Sequence, residues 1–358
     1  MEYPLTALPV SCASNQQPYS WFAFRTDSRQ PGGASEKPKK RLRNRPQGAS
    51  GDKKPSFPEA TEQNQEETIE VPTAWKDIEV SSLNGILMVL GEPDVGKSTF
   101  SQYLYRRLCS VGSRVAYLDG DPGQSILGPP CTMTLALAVK GDDAFPPQGK
   151  IWRRFTGSTS PRGHMLQILI GAARLIAIAR QEGVEAIVYD TTGFVNPVGG
   201  GILLKLAKID LLHPEYLFTI QHDEEMEPLL EPLWRSHRAA IVRIPCSSAA
   251  QRIGAPSRRA HRAAQYSRYF SPMNRLQIDW GEAAVFPAPA FQPNRLVAME
   301  DGDGFAIGLG VVEQVNPESC EVTILTPLGS LKDVNALHLG DVAVDLESFQ
   351  DWQLRFVS

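Results

Sequence analysis

Gly91-Glu92-Pro93-Asp94-Val95-Gly96-Lys97-Ser98 has the residue types and spacing of a loop built to hold phosphate. Its glycines let the backbone curl until several N–H groups face one anion. A helix starting at Lys97 would add the partial positive charge of its N-terminus at the same spot. Lys97 is spaced to reach the outer phosphates, and Ser98 to offer a hydroxyl to Mg²⁺. A Gly/Ser turn gives such letters by chance, but the flanks argue against one. Residues 86–90 form an apolar run like a buried strand, and residues 99–108 continue as a helical pattern. The expectation is a nucleoside-triphosphate site.

Four further clusters bear on the same chemistry. Asp119-Gly120-Asp121-Pro122-Gly123-Gln124 follows the apolar run at residues 115–118. One of its carboxylates suits a metal ion held through water, and the other suits a proton leaving an attacking hydroxyl; a polar turn is the bland alternative. Asp190-Thr191-Thr192-Gly193-Phe194 closes another run, residues 186–189. There Asp190 is a metal ligand through water, Gly193 permits close backbone approach, and Phe194 either stacks on a base or packs in the core. Gly157-Ser158-Thr159-Ser160-Pro161 precedes a helical pattern at residues 163–180, where small hydroxyls cap a helix or grip a phosphate. Finally, Arg258 and Arg262 stand four apart, so on a helix they share a face. Such a pair is either a solvated basic stripe or a lid of cations over a transferring group.

The elements that must position these residues are legible in outline. Strand-like runs at residues 86–90, 115–118, 186–189, 216–220 and 240–244 alternate with helical patterns such as 163–180 and 201–212. That alternation predicts an α/β fold of the P-loop NTPase type, a mostly parallel sheet with helices on both faces. From about residue 273 the pattern changes to short strands at 296–299, 305–309, 322–325 and 342–344, a small β-rich C-terminal domain. Residues 1–72 are rich in Pro, Gly, Ser, Gln and charge, and their composition predicts a disordered tail. The basic run at residues 39–45 within it reads as a solvated cluster, a loose nucleic-acid contact or an address. The predicted domains are therefore 1–72, 73–272 and 273–358.

A formal net charge of −4 excludes a general basic coat, so any nucleic-acid contact is local. Five scattered cysteines without a Cys-x-x-Cys pair fit a reducing compartment and no disulfide framework. With no long apolar run and no basic-then-apolar start, the chain is expected to be soluble, intracellular and cytoplasmic, without a membrane partner.

Taken together, these motifs resemble the polynucleotide 5′-hydroxyl kinase family. That family includes the RNA kinase of the pre-mRNA cleavage-and-polyadenylation machinery and the kinases of pre-rRNA processing. The phosphate loop at Gly91, Glu92, Pro93, Asp94, Val95, Gly96, Lys97, Ser98 and Thr99 is similar to the family's, as is the Asp-x-Asp-x-Gly-Gln run ending at Gln124. The Gly-Ser-Thr-Ser-Pro segment, the Thr-x-Gly-aromatic clasp from Thr191 to Phe194 and the Arg-x-x-x-Arg lid follow in family order. The resemblance implies transfer of the ATP γ-phosphate to the 5′-hydroxyl end of RNA or DNA.

By this likeness Lys97, Ser98 and Thr99 hold phosphates and Mg²⁺, Asp121 is the general base and Asp119 supports the metal. Gln124, Ser158, Thr159, Ser160, Thr191, Gly193 and Phe194 face the acceptor, and Arg258 and Arg262 close over the phosphates. Two departures stand out. The messenger-RNA kinase has Trp where Phe194 offers a smaller face, and a folded N-terminal β domain where this chain has its tail. Two other readings remain. A GTPase-type switch or maturation factor would use Asp190 and Gly193 as Asp-x-x-Gly, although no Asn-Lys-x-Asp follows. A catalytically silent ATP-bound scaffold would keep the loop and lose turnover.

Overall fold

The computed structural model describes residues 71–354 apart from 248, 249 and 251, so the tail to residue 70 and its basic run lie outside the described residues. The chain opens with one turn, α1 (Thr73–Lys76), followed by β1 (Gly85–Leu90), α2 (Lys97–Ser110), β2 (Val115–Gly120), β3 (Thr132–Leu137) and β4 (Ile151–Phe155). It continues with α3 (Met165–Gln181), β5 (Ala186–Thr191), α4 (Gly201–Leu212), β6 (Tyr216–Gln221), α5 (Glu227–Ser236) and β7 (Ala240–Pro245).

These strands form one seven-stranded sheet in the order β4-β3-β2-β5-β1-β6-β7. β2, β5, β1, β6 and β7 are parallel, and β3 and β4 add an antiparallel edge. A parallel strand covered on both faces needs apolar residues at every position rather than at alternate ones. β1 obeys this rule: Ile86, Met88 and Leu90 enter a core shared with α3, α4 and α5, while Leu87 and Val89 enter one shared with α2 and Trp75 of α1. Helices thus cover both faces, as expected of this fold class.

The sheet order sets the site. Crossovers on both faces leave β1 between β5 and β6, with β2 beyond β5. The C-terminal ends of these strands therefore share one edge, and ligands of open α/β sheets bind along such an edge. The loops after β1, β2 and β5 carry residues 91–96, 121–131 and 192–200, so three of the five motif segments converge there.

A separate sheet follows α6 (Ala255–Tyr269). It consists of β8 (Asn274–Asp279), β9 (Ala284–Phe286), β10 (Arg295–Glu300), β11 (Ala306–Asn316), β12 (Glu321–Thr326), β13 (Ala336–Val344) and β14 (Asp351–Gln353). Its order is β14-β13-β10-β11-β12-β8, antiparallel throughout, with β9 pairing parallel to β13. Tyr266 of α6 and Phe270 just after it, with Phe155 of β4, join Leu296, Leu309 and Val342 in a core that links the two sheets.

The expected elements differ from the observed ones at their ends. β11 runs to Asn316, well past the expected strand at 305–309, because it continues into a polar segment with Glu313, Gln314 and Asn316 half-buried or exposed. The helix expected from residue 163 starts at Met165 with His164 before it, and no side chain caps it. Ser160, a candidate cap, instead accepts the Arg162 amide at 3.3 Å, outside the helix.

Candidate active site

The phosphate loop is the turn between β1 and α2. Gly96 precedes α2 with φ +91°, a conformation that L side chains rarely adopt, so glycine is required at this position. Lys97 opens the helix and folds back over the loop, where its Nζ donates to the Glu92 carbonyl at 2.5 Å. Burial pushes the Lys97 ammonium below its ordinary range, while Asp190, Asp121 and Asp94 pull it back up. Ser98 and Thr99, half-buried in the first turn of α2, follow. The Ser98 hydroxyl lies close enough to Asp190 to pull its carboxyl down. Asp94, itself at φ +66°, accepts from the Ile253 amide at 3.0 Å and from the Arg258 guanidinium at 2.5 Å.

Asp119 and Asp190 end adjacent parallel strands in direct register. Their surroundings differ. Asp119 Oδ2 accepts from the Ser125 hydroxyl at 2.8 Å and from the Ile126 and Leu127 amides at 2.8 and 3.0 Å. Burial pushes its carboxyl up to about 7 against the pull of those bonds. Asp119, expected at the metal, is therefore committed to its own loop.

Asp190 accepts the Tyr117 hydroxyl at 3.2 Å on Oδ2, while its buried Oδ1 has no hydrogen-bond partner among the described residues. Burial raises this carboxyl too, and the Ser98 hydroxyl and Lys97 ammonium act against the rise. An unpaired buried carboxylate oxygen beside Ser98 fits a divalent cation better than anything at Asp119 does.

Asp121 lies half-buried after β2. Its Oδ1 accepts the Gly123 and Gln124 amides at 3.0 and 3.1 Å, leaving Oδ2 without a donor among the described residues. Gly123 packs against the Thr159 carbonyl, which brings the 121–124 and 157–160 loops together. Gln124 Nε2 donates to Gly123 O at 2.5 Å and to the Arg258 carbonyl at 3.4 Å. Ser158 is buried and donates to Gln353 Oε1 at 3.3 Å, Thr159 is half-buried, and Ser160 is exposed.

The clasp closes against the phosphate loop. A Cβ on Gly193 would lie 2.6 Å from the Pro93 nitrogen, so only glycine allows this approach. Phe194 is half-buried against the sheet core, its ring edge near Gly199 and Arg162. Thr191 differs from its expected place at the substrate. Its buried hydroxyl donates to Val89 O at 2.6 Å and accepts from Lys205 Nζ at 2.8 Å, tying β5 to β1.

α6 bridges these parts. Arg258 grips Asp94, and His261 Nε2 and Gln265 Nε2 meet the Ser125 carbonyl at 3.0 and 3.1 Å. Arg262, one turn on, turns instead to Asp351 of the second sheet at 2.9 Å. The structure thus gathers the P-loop, Asp121, Gly193 and Arg258 at one edge, with Arg262 held beside them.

Sequence reasoning missed Lys205, Lys208, His261, Gln265 and Asp351. The two lysines left a signal, because they fall on the same helical stripe as Leu204, Ile209 and Leu212. Asp351 left none, since it meets Arg262 only in the folded chain.

The polyribonucleotide 5′-hydroxyl-kinase of Thermococcus kodakarensis is 25% identical over 316 residues, covering 73% of this chain and 88% of that protein. The one of Pyrococcus abyssi is 23% identical over 315 residues, covering 72% and 87%. The polynucleotide 5′-hydroxyl-kinase NOL9 of Bos taurus is 27% identical over 144 residues, 38% of this chain and 20% of that protein. A chain of the wild-type Clp1p–Pcf11p complex shares the fold, with a TM-score of 0.55 at 14% identity over 75% of this chain and 76% of that one. The family model described as mRNA cleavage and polyadenylation factor CLP1 P-loop matches residues 91–272, from the first glycine of the phosphate loop to just beyond α6. The chain belongs to that family.

Proposed function

We propose that the chain is an ATP-dependent polynucleotide 5′-hydroxyl kinase that transfers the γ-phosphate of ATP to the 5′-hydroxyl end of RNA. The observation that carries this reading is the meeting of Lys97, Asp121 and Arg258 around one phosphate loop, against which Gly193 closes the clasp. Residues 73–272 would form the kinase domain, 273–358 a β-rich domain bracing α6, and 1–72 a tail outside both. Among the described residues no helix is long and apolar enough to cross a membrane. An enzyme using ATP and RNA ends works inside the cell, in the cytoplasm on this reading.

The transfer is an in-line displacement through a loose transition state, so positioning and charge neutralisation carry most of it. On nucleotide binding, Lys97 exchanges the Glu92 carbonyl for phosphate oxygens and Arg258 exchanges Asp94. Mg²⁺ would be held by Ser98 with Asp190, and would supply positive charge at the β- and γ-phosphates. Asp121 Oδ2 orients the 5′-hydroxyl and takes its proton as the hydroxyl oxygen bonds the γ-phosphorus and the bond from that phosphorus to the bridging oxygen breaks, releasing ADP. Gly193 and Phe194 hold the terminal nucleotide, with Gln124 and the loop of Ser158, Thr159 and Ser160 bordering the strand behind it. Thr191 acts by fixing the clasp backbone.

The test uses labelled ATP with a panel of 5′-hydroxyl RNA and DNA oligonucleotides. The protein is expected to label RNA ends, and Lys97→Ala to label none. Absence of transfer to every oligonucleotide overturns the proposal. Tight GTP binding without transfer would favour a switch protein.

A further inference from the structure

β14 is three residues long, at the edge of the second sheet and outside the stretch that matches the family. Strand alternation turns residues 351 and 353 to one face and residue 352 to the other. Both residues on the first face meet motif residues of the kinase. Asp351 accepts Arg262 Nε at 3.1 and 2.9 Å and Nη2 at 3.0 Å, and Gln353 accepts the Ser158 hydroxyl at 3.3 Å.

The arginine pair is well shielded, with side-chain exposures of 17% for Arg262 and 4% for Asp351. Little solvent screening reaches a pair so placed. Its grip is side-on, through Nε and Nη2. Nη1 donates to no described residue, which leaves one edge of the guanidinium for an oxyanion.

The helix that carries Arg262 is anchored beyond it. Tyr266 and Phe270 are fully buried, and the Tyr269 hydroxyl accepts the Leu309 amide at 2.7 Å. One turn before it, Arg258 already reaches the phosphate loop. Arg262 is therefore fixed from behind by a residue 89 positions away, on the same face of the helix as a cation already at the site.

We propose that Asp351 is a positioning residue for phosphoryl transfer, holding the Arg262 guanidinium side-on so that its other edge faces the transferring group. This inference rests on the kinase reading above and on the lid role over the phosphates that the family resemblance implies for Arg262. An unheld arginine spreads over many rotamers. One gripped before reaction supplies charge without reorganising at the moment of transfer.

A double-mutant cycle on the full chain tests it, with kcat and KM measured for ATP and for a 5′-hydroxyl RNA. Asp351→Asn is expected to lower kcat about tenfold with both KM values near wild type. Asp351→Glu, which keeps the carboxylate, should recover part of that loss. In an Arg262→Ala background, Asp351→Asn should have no further effect. Wild-type kcat in Asp351→Asn overturns the proposal, as does the same fold-loss in both backgrounds. Wild-type kcat in Arg262→Ala alone sinks instead the reading of Arg262 on which it rests. If circular dichroism shows Asp351→Asn unfolded, Asp351→Glu carries the same cycle: a loss only with Arg262 present supports the role, and an equal or absent loss refutes it.

Discussion

Three carboxylates stand within the same few residues of strand end, and their partners divide the work. Asp119 takes Ser125, Ile126 and Leu127 on Oδ2 and the Asp121 amide on Oδ1 at 3.3 Å, so it builds the loop that carries Asp121. Asp190 keeps a buried oxygen unpaired beside Ser98, which suits a cation. Asp121 is left with one free oxygen at the edge of the site, which suits a proton. Replacing Asp121 by Asn preserves the Oδ1 acceptor for the Gly123 and Gln124 amides, so the loop keeps its shape and only the basic oxygen is lost. We expect Asp121→Asn to lower kcat about 100-fold, with ATP affinity unchanged in a direct binding assay. Wild-type turnover in that variant would take the proton-accepting role away from Asp121.

At the scale of the element, α4 is the unusual one. Its inner stripe, Gly201, Leu204, Lys205, Lys208, Ile209 and Leu212, includes two fully buried lysines, while Leu203 and Leu211 face solvent. Lys205 has work, holding Thr191 and the Thr192 carbonyl of the clasp. Lys208 lies 5.0 Å from the centre of the Tyr189 ring, and its Nζ donates to no described residue. Burial lowers Lys208 to about 7, against about 10.4 for an unfolded lysine.

Between those values the unfolded chain binds more protons, so this residue makes stability rise with pH across the window. Its penalty is full below about 7 and fades toward about 10.4. Lys208→Met should thus stabilise the protein at pH 7 by on the order of 3 kcal/mol, and by clearly less at pH 9.5. Urea unfolding at the two pH values measures the difference. An equal gain at both would rule out the buried charge as its source.

Legibility in the sequence follows the same division into local and distant. The phosphate loop, the Asp119–Gln124 run and the Asp190–Phe194 run are contiguous, and each follows an apolar strand whose period is plain, so the sheet edge and most of the site were readable. β3 and β4 were not, because an antiparallel edge strand such as IWRRF carries Arg153 and Arg154 where a central strand carries aliphatics. α5 was hidden by Pro228 at its start and Pro232 inside it. Lys205 was readable in principle from the helical stripe. Asp351 was not, because only the docking of the two sheets brings it to Arg262.

At the scale of the whole molecule, the second sheet is joined to the first through a core that neither owns. Cys131 and Phe155 come from the first sheet's edge, Tyr266 from α6 and Phe270 from just after it, and Leu296, Leu309 and Val342 from the second sheet. Phe270 is fully buried there, stacked with Tyr266 and edge-on to Tyr269 at 5.0 Å between ring centres. A chain joined this way should unfold as one unit, with tryptophan fluorescence and far-UV circular dichroism giving the same urea midpoint. Phe270→Ala empties the shared core and should cost about 3–5 kcal/mol, moving both probes together. It should also lower kcat in the surviving folded protein, since α6 carries Arg258 to the phosphate loop and Arg262 to Asp351. Two separated transitions, the first leaving turnover intact, would mean that the second sheet unfolds alone. The arginine helix would then be held by the P-loop side only, and the bracing role given to the β-rich domain would fail.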